Sequence, residues 1–172
     1  APAVLLVVPY ILAATLRSDN FGDTYAYRSV FREAPSKIAA LPLYLEGIKK
    51  DKGFSVLIVI IKALIGNSPI LFFMFIATVQ MLCMAFIYRK YSENYWMSIF
   101  VFVAGTDYMS WCHNGIRQFL AIAIIMAGFP LLLKRKYIPL IAIILLGATF
   151  HASALLMIPI IFIVQGKAWN KK

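Results

Sequence analysis

Nineteen consecutive residues, Ile70 to Tyr88 (ILFFMFIATVQMLCMAFIY), carry no charged side chain. As an α-helix this run is about 28 Å long, close to the roughly 30 Å hydrocarbon thickness of a bilayer. It has the length and purity of a membrane-spanning helix. Composition extends that reading to the whole chain. Hydrophobic residues make up 62% and charged residues 14%, with a mean hydropathy of +0.83, against an apolar share of roughly 45–50% in soluble domains. The other apolar segments are continuous rather than alternating, which favours helices over a barrel.

The fold class expected is all-α: a polytopic transmembrane helical bundle with a long extracytoplasmic loop carrying short amphipathic helices. A single transmembrane domain covers 1–172, with spans at about 1–16, 70–88, 95–111, 118–133, 138–150 and 152–165 and the loop at 17–69. Within that loop Tyr25, Tyr27, Val30 and Phe31 line one short helix, and Leu41, Leu43, Tyr44, Leu45 and Ile48 form a second apolar patch. Phe54 to Ile65 is too short to cross and holds Lys62, so it suits an interfacial or re-entrant helix. Ile138 to Val164 is broken by Gly147, His151 and Pro159 and reads as two short crossings, with one long tilted helix as the competitor. Beginning at Ala1-Pro2 and ending just after a hydrophobic segment, the chain reads as a piece of a longer polytopic protein.

Short basic loops set orientation. Arg89 and Lys90, Lys134 to Lys136, and Lys167, Lys171 and Lys172 all fall on the cytoplasmic side if Ile138 to Val164 is a hairpin. Arg17, Asp19, Asp23, Asn114, Arg117, Gln118 and His151 then gather at the extracytoplasmic face. The net charge of +10 is accounted for by these loops, so nucleic acid is not expected as a partner. Cys83 and Cys112 lack disulfide or metal-ligand spacing, and neither a cofactor nor a metal site is expected. Two carboxylates, Asp19 and Asp23, with no further clustered ligand are weak grounds for a cation site.

The polar island Asp107 to Gln118 (DYMSWCHNGIRQ) separates two apolar segments and puts Arg117 at the mouth of a helix. Its planar fork of donors suits phosphate or carboxylate, and Asn114 and Gln118 flank it, so the turn reads as an anion site. An Arg snorkelling to headgroups, or one paired with Asp107, is the alternative. His151 interrupts an apolar run and is either a proton-transfer group or a core histidine bonded to a neighbouring helix. Arg17, Asp19 and Asp23 stand at a helix end, where an ion-pair cap is the simpler reading. Tyr25, Tyr27, Tyr44, Tyr108 and Trp111 lie near enough to the outer face to stack on a sugar, or anchor the interface. Glu46 and Asp51 read as solvated loop charges.

Three blocks of residues, taken together, carry a resemblance. Leu16-Arg17-Ser18-Asp19 with Gly22-Asp23-Thr24, then Asn114-Gly115-Ile116-Arg117-Gln118, then Phe150-His151-Ala152-Ser153-Ala154, in this order and spacing, resemble the EpsG family of Wzy-like polysaccharide polymerases over nearly the whole chain. The family's acidic-Pro-Gly-aromatic block after the first loop appears only loosely, as Asp51-Lys52-Gly53-Phe54. The resemblance implies a bacterial cytoplasmic (inner) membrane protein, multi-pass, that joins lipid-linked oligosaccharide repeat units into exopolysaccharide, capsule or O-antigen, often in biofilm formation. The implied partners are an undecaprenyl-diphosphate-linked oligosaccharide, the bilayer and other exopolysaccharide assembly proteins. Arg117, Gln118, Asn114 and Arg17 would bind diphosphate and glycan, while His151, Asp19 or Asp23 would take the acceptor's proton. A lipid-linked glycan flippase and a non-catalytic assembly subunit are the competing functions.

Overall fold

The computed structural model describes residues 5, 7–105, 110 and 112–164. These are helical, with no strand among them. The chain runs through α1 (Val8–Thr15), α2 (Thr24–Glu33), a 3-10 turn (Ile38–Ala40), α3 (Leu41–Glu46), α4 (Lys52–Ile65), α5 (Pro69–Tyr91) and α6 (Tyr95–Ala104). It continues through α7 (Ile116–Ala127), α8 (Phe129–Leu133), α9 (Tyr137–Phe150), a second 3-10 turn (Ala152–Leu156) and α10 (Met157–Ile163).

Local chemistry sets the boundaries. Ser68 caps α5, its hydroxyl accepting from the Leu71 amide at 3.5 Å with Pro69 behind it, and the Asn94 side chain does the same for α6 through Met97 at 3.1 Å. Gly66, at φ +74, ends α4, where a side chain would be strained. Pro130 follows Gly128 and separates α7 from α8. At His151 the backbone becomes extended, and the chain reverses. The Tyr137 and Phe162 rings, at the far ends of the two arms, lie 5.5 Å apart, so this segment is a hairpin rather than one long helix.

The 23-residue α5 is the one described helix long and apolar enough to cross a membrane; α6, α7, α9 and the 3-10–α10 segment are apolar but span 10–17 residues. It also joins two cores. Phe72, Phe73 and Ile76 pack with Phe31, Ile58 and Leu120 in one cluster, while Ala77, Met81 and Met84 pack with Tyr10, Ile99 and Phe102 in the other. The amide of Gln80, buried at mid-helix, donates to the Ile116 carbonyl at 3.4 Å, tying α5 to the start of α7.

The loop expected at 17–69 is a folded layer. Of the four residues expected to line α2, Phe31 is buried and Tyr27 half-buried, with Thr24 buried on the same face, whereas Tyr25 and Val30 are exposed: Phe31 stacks on Phe72 at 4.7 Å and Tyr27 meets Phe54 edge-on at 6.0 Å. Lys62, only 3% exposed, explains how a cation can sit within the apolar α4. Its ammonium donates to the carbonyls of Phe31 at 2.9 Å, Arg32 at 2.6 Å and Ala34 at 2.6 Å, using all three protons on the C-terminal end of α2.

Candidate functional site

The centre of the candidate site is set by a glycine. A Cβ on Gly53 would fall 2.1 Å from Thr149 Oγ1 and 2.5 Å from Thr149 Cβ, so only glycine lets the first turn of α4 lie against the last turn of α9. That contact delivers Asp51, which precedes α4, to His151, which follows α9. Asp51 takes a left-handed backbone, φ 55 and ψ 42, which aspartate accepts more readily than most residues. Its carbonyl accepts from the amides of Phe54 and Ser55.

Arg117, second residue of α7, completes the centre. Its Nη1 donates to Asp51 Oδ2 at 2.7 Å. The His151 Nδ1 lies 4.0 Å from the other carboxylate oxygen, in register with it but longer than a hydrogen bond. The Asp51 side chain is 10% exposed, against 43% for Arg117 and 34% for His151. A largely enclosed carboxylate is thus flanked by a guanidinium and an imidazole that both stay partly exposed, where the N-terminal ends of α4 and α7 add positive dipole ends. Among the described residues Arg117 spends one donor on Asp51, and the rest of its fork can meet a ligand.

A cleft of about 380 Å³ opens on this centre, lined by Asp23, Tyr27, Tyr44, Lys50, Asp51 and Arg117 among others, within the size range of small-ligand sites. Burial first, then the Glu33 carboxylate, pushes the Tyr44 phenol up, against an opposing hydrogen bond with Ser55, so the phenol is a neutral donor at physiological pH. Two apolar grooves lie near the cleft, and the first shares Asp51 with it. One of about 470 Å³ runs between Leu57, Ile60, Leu146 and Phe150 and ends at Asp51 and Thr149. The other, about 260 Å³, runs between Ile122, Ile125, Met157 and Ile160 and ends at Gln118 and Ser153.

A second ionic group stands across the 112–117 segment. The Arg17 guanidinium lies 4.1 Å over the Phe73 ring and that of Arg28 5.9 Å from the same ring, and Arg28 Nε pairs with Asp19 at 3.0 Å. Burial pushes the Arg17 guanidinium down to about 10, leaving it charged at neutral pH. Gly22, at φ +54, abuts Asn114 so closely that a Cβ would lie 1.8 Å from its Oδ1.

The residues singled out from sequence therefore divide. Arg117 and His151 meet at Asp51; Asp23 stands on the edge of the cleft. Gln118 faces the second apolar groove, and Asn114 packs on Gly22. Arg17 and Asp19 belong to the Phe73 group, where Asp19 pairs with Arg28. Among the described residues no three His, Cys, Asp or Glu side chains group closely enough to hold a metal ion.

One expectation is corrected outright. Glu46 is exposed, as a solvated loop charge should be, but Asp51 is the half-buried ion-pair partner of Arg117. The only forward sign was the loose Asp51-Lys52-Gly53-Phe54 block, whose glycine proves to be the contact that buries the aspartate. The pairing considered for Asp107, and the stacking roles for Tyr108 and Trp111, lie outside the described residues.

Residues 1–172 match the sequence model described as the EpsG family. No curated protein matches the chain, and no solved structure does.

Proposed function

Since the chain belongs to the EpsG family, whose role lies in polysaccharide biosynthesis, we propose that it polymerises lipid-linked oligosaccharide repeat units at the outer face of the bacterial cytoplasmic membrane. The observation that carries the reading is the Asp51 carboxylate held between Arg117 and His151 at the mouth of a ligand-sized cleft. Its multi-pass placement draws support from α6, whose Trp96, Met97, Phe100 and Val101 are 52% to 66% exposed, a pattern suited to lipid and costly in water. Further support comes from α7 and α8, which together cover 116–133 with a proline kink and rise about 27 Å.

In this mechanism the free donors of Arg117 bind the diphosphate of an undecaprenyl-linked glycan by charge-assisted hydrogen bonds. The acceptor hydroxyl attacks the anomeric carbon. The bond from that carbon to the diphosphate oxygen breaks, and the lipid diphosphate departs with the electron pair. Arg117 stabilises the charge that grows on the leaving oxygen, the kind of contact whose removal costs about 100- to 1000-fold in rate. His151 takes the hydroxyl proton, and Asp51 steadies the imidazolium, as the third member of a nucleophile–base–carboxylate set does. Tyr27 and Tyr44 offer ring faces and hydroxyls to the sugar, and the apolar grooves take the lipid chain.

Arg117→Ala and His151→Ala in the full-length protein test this reading. Polymer length and yield should collapse in both while the proteins remain folded and membrane-inserted; unchanged polymer from both variants would end it. Reconstitution with purified lipid-linked units separates the competing functions. New glycosidic bonds mark a polymerase, and transbilayer movement without them marks a flippase.

A further inference from the structure

The uncharged run Ile70 to Tyr88 of α5 carries one carboxamide, Gln80. It is 3% exposed, and an amide so enclosed is costly unless something accepts its protons. Its Nε2 donates to the Ile116 carbonyl at 3.4 Å. Phe73, Ile76, Ala77 and Gln80 are spaced as one face of a helix, and with Ile116 they border a small pocket. The amide therefore lies on the stripe of α5 that meets the start of α7.

That start has little to hold it locally. Gly115 precedes it at φ −113 and ψ 49 and supplies no capping side chain, whereas Ser68 and Asn94 cap α5 and α6. The residue after Ile116 is Arg117, whose guanidinium is fixed by Asp51 at 2.7 Å. The arginine is thereby held at both ends, its main chain tied to α5 one residue earlier and its tip tied to the residue that precedes α4. Beside the same turn Gly22 abuts Asn114, and the Phe21 ring meets that of His113 edge-on at 5.1 Å. A fork aimed in this way meets an anion without first having to be ordered.

We infer that Gln80 is a positioning residue, which from the middle of α5 fixes the first turn of α7 and so aims the Arg117 fork between Asp51 and the cleft. It does not line the cleft and acts through Arg117, so the inference rests on Arg117 as the anion-binding group of the reaction proposed above. Losing the tie should not unfold the protein. Ile116 is the first residue of α7, and by helix geometry its carbonyl still accepts from the amide four residues on, so no acceptor is stranded. What is lost is aim, and a small misplacement at a reacting centre can cost about 100-fold in rate.

Two variants of the purified full-length protein test it. Gln80→Met keeps the length and volume without the donor, and Gln80→Asn keeps the donor one methylene short of the carbonyl. Both should retain the wild-type thermal midpoint in neutral detergent and bind inorganic pyrophosphate about 3- to 10-fold more weakly by calorimetry. In reconstituted polymer formation kcat should fall about 10- to 100-fold with KM little changed. Arg117→Lys supplies the comparison, because a flexible point charge has no fork to aim. In that background Gln80→Met should have no further effect on pyrophosphate affinity. Unchanged pyrophosphate affinity and kcat in the folded Gln80 variants, with or without a lowered midpoint, marks a residue that only packs helices and overturns the inference. An equal loss in the Arg117→Lys background overturns it too. Polymer formation indifferent to Arg117→Ala and His151→Ala, with the coupling of Gln80 to Arg117 in pyrophosphate affinity intact, would instead defeat the polymerase reading and leave the positioning role standing.

Discussion

Two cations in this chain sit where a cation is expensive, and they are settled in opposite ways. Lys62 is enclosed and saturated, with three carbonyls from the end of α2 taking its three protons. Arg117 is 43% exposed and, among the described residues, takes one carboxylate, Asp51, at 2.7 Å, leaving donors unspent there. A saturated cation can only hold structure together, whereas an unsaturated one beside a cleft can still bind. The difference separates scaffold from site without reference to any family.

The sharpest way to break that contrast is to remove each cation in turn. Arg117→Ala should lower polymer formation by about 100- to 1000-fold with an unchanged thermal unfolding midpoint in detergent. Lys62→Met should do the opposite. It strands the carbonyls at the end of α2, costs about 3 kcal/mol of stability, and reads out as a lowered midpoint and poor extraction as a single species. An Arg117→Ala protein that unfolds, or a Lys62→Met protein that is stable, would erase the distinction.

Asp51→Asn sharpens it further. Asparagine accepts the same left-handed backbone, so the change removes charge and little else. With the competing carboxylate gone, the Arg117 site should bind pyrophosphate about 10-fold more tightly, while turnover falls because the imidazolium of His151 loses its counter-ion. Calorimetry and polymer yield on the same preparation check the two signs. Tyr44→Phe, which removes a hydroxyl from the cleft and keeps the ring, should weaken glycan binding only a few-fold, about 1 kcal/mol, with pyrophosphate binding at Arg117 unmoved.

Much of this was legible in the chain because it is written locally. The uncharged run at α5, the Gly66 to Pro69 stop and start, the presence of a short helix at α2 and the reversal at His151 each depend on neighbours within a few residues. Asp51 was not, since Lys49, Lys50 and Lys52 give it the look of a solvated loop. Its true partner is 66 positions away, and the contact that buries it is a glycine against Thr149, far off in sequence. Lys62 was legible as a residue that keeps α4 from crossing lipid. Its acceptors, 28 to 31 positions earlier, are main-chain groups and leave no mark on side-chain chemistry. Arg17 reads in the sequence as a helper to Arg117 because both blocks belong to one pattern, yet Arg17 lies over Phe73 and Arg117 on the cleft.

The hairpin that presents His151 is short. Fourteen residues of α9 rise about 21 Å, several ångströms under the thickness of a typical hydrocarbon layer. Lipid around a membrane-embedded hairpin of that length must compress to meet it, drawing the water boundary inward toward the imidazole instead of requiring the protein to lift its chemistry out. Hydrophobic mismatch would then set how wet the reaction zone is, and polymer yield in vesicles of increasing acyl-chain length should decline as the bilayer thickens.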